Sequence, residues 1–410
     1  MSQSRDKRLS ELAYTIADHQ ARIEKLGSKW GAILTENLDK SELSLLDSVT
    51  DFMEKHKKGI QSVTAIADLE RLERKIKKIR KNVFQQSFRS IYDEGLDLCR
   101  NEQKWAQRVT KEVIQNASSS EQKKIPTMEL SGQKAIKESM SNTFIEGMKF
   151  EEWFSGTAEA DLRRIVDMVR DGVKSGWTIQ QMIQRIRGTK ANGYTDGILN
   201  TTRKHASTMA RTLCCGIANN AKDQFYREND DVVIGVEWLD TLDARTCPRC
   251  GGMSRKRWKT HDPHPVPPLH HNCRCVLLPV TELTDLGEDM FRPAANADFD
   301  TLAKEAYESK YPGKKWENLA YDTRKKYYYQ AQRDFENQTG KSAYSQVPGN
   351  MTYKEYFMQM DEKTRESYLG PGKYKLWKEG KLSIDKFIPP YPDRTFTVRE
   401  LKEMDKESFK

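Results

Sequence analysis

The sequence has no run of about 20 apolar residues, which is the length that a helix needs to cross a bilayer. Hydrophobic residues make up only 37% of its 410 residues, whereas charged residues make up 31%. The first residues, MSQSRDKRLSEL, also lack the apolar core of a secretory signal. We therefore expect a soluble chain made in a cytoplasm. Its helices should be long and solvated, or should bury apolar stripes against partner subunits.

The common catalytic fingerprints are absent as well. The sequence has no Walker loop, no G-x-S-x-G elbow and no dinucleotide-binding glycine pattern. Residues 299–410 contain neither histidine nor cysteine, which removes the usual general base and the usual nucleophile from that region. We therefore predict that the chain is not an enzyme. The alternative is a nuclease or toxin-like effector within 299–410 that works with glutamate, arginine and tyrosine.

No large excess of charge of one sign is present, because 69 basic residues are mixed with 60 acidic residues to leave a net charge of +9. One helical segment nevertheless carries a basic face opposite its apolar stripe, and this face includes Arg80. Its candidates for contact with a nucleic-acid phosphate backbone are Arg74, Lys77, Lys78 and Lys81. The ordinary alternative for such a run is a solvated helix face.

Hydrophobic periodicity divides the chain into five parts. Residues 1–125 form a charged, amphipathic, coiled-coil-like helical region whose stripe (Leu9, Leu12, Ile16, His19, Ile23 and Leu26) is suited to self-association. Residues 126–230 form a second helical domain, 231–281 a β-rich module, 282–298 a linker, and 299–410 an aromatic and basic region. The predicted fold class is mainly α, with an elongated multi-helix architecture and a small β-rich module.

Cysteine and histidine are scarce, yet four of seven cysteines and four of seven histidines lie between residues 247 and 275. The pattern is C-x2-C at Cys247 and Cys250, followed by H-x2-C-x-C at His270, Cys273 and Cys275. In a reducing compartment this spacing indicates a metal site before it indicates disulfides. Five ligands are offered where Zn²⁺ takes four, so we expect a closed, structural zinc site in which either His270 or Cys275 is the fourth ligand.

Two further patterns flank these cysteines. Asp243, Arg245 and Gly251 are expected to shape the turn that carries the first pair. A zinc-braced HNH nuclease also combines C-x2-C pairs with His-His and Asn, but it needs a further ligand on a helix after the central strand. His271 is the last histidine of this chain, which argues against that alternative.

The same run of residues resembles a known family. Glu237-Trp238-Leu-Asp-Thr-Leu-Asp243-Ala-Arg245-Thr-Cys247-Pro-Arg-Cys250, closing with Pro268-Leu-His270-His-Asn-Cys273-Arg-Cys275, is similar to the signature of the phage Mu F-type minor head proteins. The family usually has proline where this chain has His271. With the preceding helices, the resemblance covers roughly residues 155–280, and a weaker likeness extends over residues 353–382.

The resemblance implies a minor capsid protein that acts in phage head morphogenesis and procapsid assembly. It implies location in the virion head after assembly in the host cytoplasm, partners among portal, capsid or scaffold proteins, and non-specific contact with packaged DNA, but no membrane. A role in DNA packaging or release is a further implication, and an enzyme fused to a head-morphogenesis module is the alternative. Cys247, Cys250, His270 and Cys273 would be the ligand positions with Cys275 paired to them, and Asp243 and Arg245 would shape the turn.

Overall fold

The computed structural model describes residues 2–56, 63–117, 127–145, 148–281, 291–319 and 321–381. Long helices alternate with small antiparallel sheets, so the mainly α class predicted from the sequence is confirmed. The boundary expected between residues 125 and 126 lies outside the described residues. Over the described residues, no helix combines the length and the apolar character that a membrane span requires.

Among the described residues, seven helices and one pair of short strands precede the module. They are α1 (Ser2–Lys40), α2 (Glu42–Lys55), α3 (Val63–Ala117), α4 (Gln133–Ser141), β1 (Phe144–Ile145), β2 (Met148–Lys149), α5 (Phe150–Lys174), α6 (Ile179–Arg187) and α7 (Ile198–Glu228). Thr178 forms a capping box with Gln181, and this arrangement fixes the start of α6.

The described part of the apolar stripe of α1 is buried within the chain. Ile23 joins a core cluster with residues of α3 and α7, while Leu12 and Ile16 pack against Trp105. Gly27 brings the two backbones close, because a Cβ at that position would lie 2.8 Å from the Cα of Arg211 on α7. Helices α3 and α7 of the same chain therefore cover the described part of the stripe. A second copy of the chain is not needed to bury it.

Arg80 does not lie on a solvated face, contrary to the expectation from the sequence. Its side chain is buried, and its Nε donates to Asp161 Oδ2 at 2.8 Å. Nη1 of the same guanidinium donates to Ser41 Oγ at 3.1 Å, and Thr202 Oγ1 donates to the other carboxylate oxygen of Asp161. One ion pair thus joins α3 and α5 to the start of α2 and to α7.

The module is a three-stranded antiparallel sheet in the order β4-β3-β5. The strands are β3 (Gly235–Leu239), β4 (Arg257–Lys259) and β5 (Val276–Val280), with the one-turn helix α8 (Pro248–Gly251) between β3 and β4. The module that the sequence predicts to be β-rich therefore contains these three strands. Trp238 pairs with Leu277, and both pack with Phe225 and Tyr226 at the end of α7. The sheet therefore uses the helical body as its second layer.

The C-terminal region packs directly on the module. It contains β6 (Phe291–Ala295), α9 (Phe299–Lys310), α10 (Tyr321–Thr339), β7 (Tyr344–Pro348), α11 (Tyr353–Gln359), α12 (Glu362–Leu369) and α13 (Pro371–Lys378). Strand β6 lies inside the segment expected to be a linker, because it pairs with β7, which is far along the chain. Arg292 is buried, donates to the backbone oxygen of Met351 at 3.2 Å and contacts Asp240 of the module.

Replacing Tyr353 by alanine should detach this region from the module. The ring is fully buried against Gly251, and its hydroxyl donates to the backbone oxygen of Asp243 at 2.9 Å. We expect the variant to lose about 3–5 kcal/mol of unfolding free energy in a urea titration. Tyr353→Phe should lose only about 1 kcal/mol, since the packing is retained.

The matched control for Tyr353→Ala is Met358→Ala on the same helix, because Met358 is 54% exposed. This control should change the unfolding free energy by less than about 0.5 kcal/mol. Equal losses in Tyr353→Ala and Met358→Ala would contradict the assigned packing role.

Candidate metal centre

A one-turn helix presents the first cysteine pair. Cys247 is the N-cap of α8, and its sulfur accepts a hydrogen bond from the backbone nitrogen of Cys250 at 3.4 Å. Pro248 follows at the first helical position, where the missing N–H costs nothing. Because Cys247 and Cys250 flank a single turn, their sulfurs lie on the same side of it. Gly251 leaves room for Tyr353, whose Cδ1 would lie 2.6 Å from an added Cβ.

The segment before β5 supplies the second group of side chains. Cys250 Sγ lies 3.1 Å from His270 Nε2 and 3.8 Å from Cys273 Sγ. Asn272 turns the chain between them with a positive φ of 58°, a conformation that asparagine tolerates. The ligand atoms of Cys247, Cys250 and His270 lie within 4.8 Å of one another, and so do those of Cys250, Cys273 and Cys275. The five side chains predicted from the sequence therefore form one cluster that could hold a metal ion.

The remaining histidines near the motif lie elsewhere. His261 pairs with Asp230 at 2.9 Å, and His264 pairs with Asp223 at 2.8 Å. The ring of His271 packs against Trp153, with centroids 5.8 Å apart. These three histidines therefore have their contacts outside the five-residue cluster.

The hydrogen bonds within the cluster favour thiolate at two of its sulfurs. A hydrogen bond from Cys250 lowers the pKa of Cys247 to about 5 against the opposing effect of burial. Cys250 also lowers the pKa of Cys273 well below the ordinary thiol value. Burial lowers the pKa of His270, but hydrogen bonds with Cys247 and Cys273 outweigh it and raise that pKa above the ordinary value. Soft, ionised sulfur with imidazole is the donor set that Zn²⁺ prefers.

Asp243 organises the turn that leads into this cluster. Its carboxylate accepts two hydrogen bonds of 2.6 Å from Arg274 and one of 3.0 Å from the backbone nitrogen of Arg245. Burial raises the pKa of Asp243, but the guanidinium groups of Arg274 and Arg245 overcome this and hold it well below its usual range. Arg245 also reaches Asp300 at 3.2 Å. Asp243 is therefore a charged structural group that ties the two halves of the motif together.

Sequence reasoning did not identify two contributors to this arrangement. Arg274 lies between two cysteines of the motif, yet its partner Asp243 is 31 positions earlier. Tyr353 comes from a region whose sequence shows only aromatic spacing. The sequence did contain a usable signal for the contact between Asp243 and Arg274. The aspartate of the D-x-R pattern and the arginine of the C-R-C pattern have opposite charges, which suggests pairing. No local signal connects Tyr353 with Gly251.

The basic residues expected to contact nucleic acid lie on α3, far along the chain from this cluster. Arg74, Lys77, Lys78 and Lys81 are exposed, and Arg74 lies 3.8 Å from Glu70. Exposure is necessary for contact with a phosphate backbone, but it is equally typical of a solvated face.

Residues 163–278 match the family model described as Phage Mu protein F like protein. The match runs from α5 through α7 and the module to β5, and it confirms the resemblance seen in the motif. Neither a curated protein nor a solved structure matches the chain.

Proposed function

We propose that the chain is a structural component of the phage head and is bound at the portal vertex. The proposal starts from the family match, which indicates a role in phage head morphogenesis. The observation that carries the proposal is the coincidence of the family match with the metal cluster and the helices beneath it. The match itself indicates location in the virion and partners related to the capsid. Contact with the portal, and an influence on DNA packaging or release, are parts of the proposal.

The cluster would hold one Zn²⁺ ion through Cys247, Cys250, Cys273 and His270. The choice of His270 as fourth ligand is supported by its ring nitrogens, since Nδ1 lies 2.9 Å from the backbone oxygen of His271 and Nε2 faces Cys250. A backbone acceptor at Nδ1 leaves Nε2 as the basic nitrogen, an arrangement common at metal-bound histidines. Cys275 would then be a neighbouring thiol.

The role of this metal is structural, because the cluster lies between parts of the chain that must stay together. The backbone oxygen of Cys275 accepts from Asn219 of α7 at 3.1 Å, and the backbone nitrogen of Asn272 donates to Thr212 of α7 at 2.9 Å. On its other side, α8 contacts Tyr353. A closed centre of four protein ligands offers no position for a substrate. We therefore propose a scaffold role and not catalysis.

The described part of the C-terminal region, up to residue 381, gives no support to the enzyme alternative. Many of its aromatic side chains pack against one another, as in the cluster of Tyr307, Trp316 and Tyr327, and Tyr353 and Tyr356 donate to backbone oxygens. These aromatic side chains fill the core of that region.

The function is tested by following the chain through assembly. A tagged copy expressed with the neighbouring structural genes should sediment with procapsids and virions, and crosslinking should join it to the portal protein. Absence of the chain from purified heads would overturn the proposed function. Presence in heads without portal crosslinks would overturn the portal contact.

A further inference from the structure

A cavity of about 740 Å³ opens beside the metal centre. Its walls come from α1, α7, the loop at residues 270–274 and α10, so the helical body and the C-terminal region enclose it together. Cys247 and His270 lie at its edge. A volume of this size is in the range of sites for small organic ligands, about 300–1,000 Å³.

The walls of this cavity carry more positive than negative charge. Two cations come from α1 and two from α10, and further arginines come from α7 and from the module; among them are Arg22, Lys25, Arg211, Arg274, Arg324 and Lys325. The acidic residues of the wall are Asp18, Glu24 and Asp300. Cations from four parts of the chain repel one another when they converge, and a bound anion would relieve that repulsion.

Some of these cations are neutralised within the chain and others are not. Arg22 pairs with Asp18 at 2.8 Å, and Arg274 is held by Asp243. Over the described residues, no carboxylate lies within ion-pair distance of Lys25, Arg324 or Lys325. The Nε of Arg324 is also buried, and it has no hydrogen-bond partner among the described residues. The α10 side of the cavity is therefore the side that is left to bind an anion.

An aromatic ring accompanies these free cations. Tyr329 is 45% exposed, and the Nζ of Lys325 lies 5.7 Å from its ring centroid. Tyr328, one residue earlier, is buried beneath the guanidinium of Arg245, so its ring is not open to a ligand. A cationic wall beside one exposed ring suits a ligand that combines phosphate with a flat base. An acidic peptide would use the cations but would have no use for the ring.

We propose that this cavity binds the phosphate group of a nucleotide, with Arg324 and Lys325 on the phosphate and Tyr329 against the base. The nucleotide is either free or part of a single strand, since the phosphate chemistry is the same. The site is separate from the basic face of α3.

The proposal is tested on the full-length, zinc-loaded chain by fluorescence anisotropy with a labelled short oligothymidylate. Removing both cations in Arg324→Ala/Lys325→Ala should weaken binding about tenfold or more and reduce the salt dependence by about one for each lost phosphate contact. Tyr329→Ala should weaken binding about fivefold or more, and Tyr329→Phe should restore it.

The matched control removes the same charge elsewhere. Lys134→Ala/Lys137→Ala removes two exposed cations of α4 that line neither the cavity nor the basic face of α3, and it should leave the affinity unchanged. Zinc content and thermal unfolding must be equal in all variants. An equal loss in the control, no loss in the α10 double variant, or equally effective competition by hexaglutamate would each overturn the proposal.

Competition identifies the source of the phosphate. Displacement of the labelled strand by thymidine monophosphate indicates a free nucleotide, whereas displacement by unlabelled strand alone indicates a strand; both support the site. If the chain binds the oligonucleotide through α10 but is missing from purified heads, the proposed function is refuted and the nucleotide site still stands.

Discussion

Cys273→Ser is expected to empty the metal centre and to loosen residues 235–280. Cys273 is buried in the cluster, 3.8 Å from Cys250, and its thiolate is one of the two that the cluster stabilises. A serine hydroxyl is a poor zinc ligand, so the content should fall from about one zinc per chain to almost none. Because metal binding is coupled to folding, the free energy of unfolding should fall by about 4 kcal/mol or more.

The measurements are metal analysis of protein purified without chelator and hydrogen exchange over the module. Exchange should accelerate in β3, β4, β5 and α8, and less in α5 and α6, which contribute no side chain to the cluster. Cys99→Ala is the matched control, because Cys99 is equally buried but lies in the helical core on α3. It should keep its zinc.

Two more variants decide the fourth ligand. His270→Ala should lose zinc, and Cys275→Ala should keep it with a small loss of stability from packing. The reverse result would transfer the fourth position to Cys275. If the wild-type protein contains no zinc, or the module exchanges equally slowly after chelation, the metal proposal fails.

Asp161→Ala is expected to destabilise the helical body by about 3–5 kcal/mol. Asp161 and Arg80 are both almost fully buried, and removing the carboxylate would leave a guanidinium in the core without its partner. Thr202 would also lose its acceptor. The loss should appear as a lower midpoint in urea denaturation with an unchanged m-value.

The double variant Arg80→Met/Asp161→Leu separates charge from packing. With both charges removed, the desolvation penalty disappears, so stability should return to within about 1–2 kcal/mol of the wild type. Asp167→Ala, at an exposed position of the same helix, is the control and should be near neutral. If the double variant is as unstable as Asp161→Ala, the cost lies in lost packing and not in the unpaired charge.

Arg80 shows where a sequence pattern misleads, and His19 shows what such a pattern leaves undecided. Both occupy positions that helical periodicity assigned in one dimension, His19 to an apolar seam and Arg80 to a basic face. In the fold, His19 stacks on Trp105 with centroids 4.1 Å apart and contacts Glu102 at 2.8 Å. Arg80 finds Asp161. Periodicity identifies the face on which a side chain lies, but it does not identify the element that will cover that face.

The helices, the β-rich character of residues 231–281 and the cysteine and histidine side chains of the metal centre were determined by the sequence alone. Each depends on spacing within a few residues or within one short motif, where backbone geometry leaves little choice. Only the tertiary structure decided the pairing of Arg80 with Asp161, the contact of Tyr353 with Gly251, and the cationic cavity between α1, α7 and α10. These depend on the path of the chain over long separations, and many partners of equal chemistry compete for each such contact until the fold selects one.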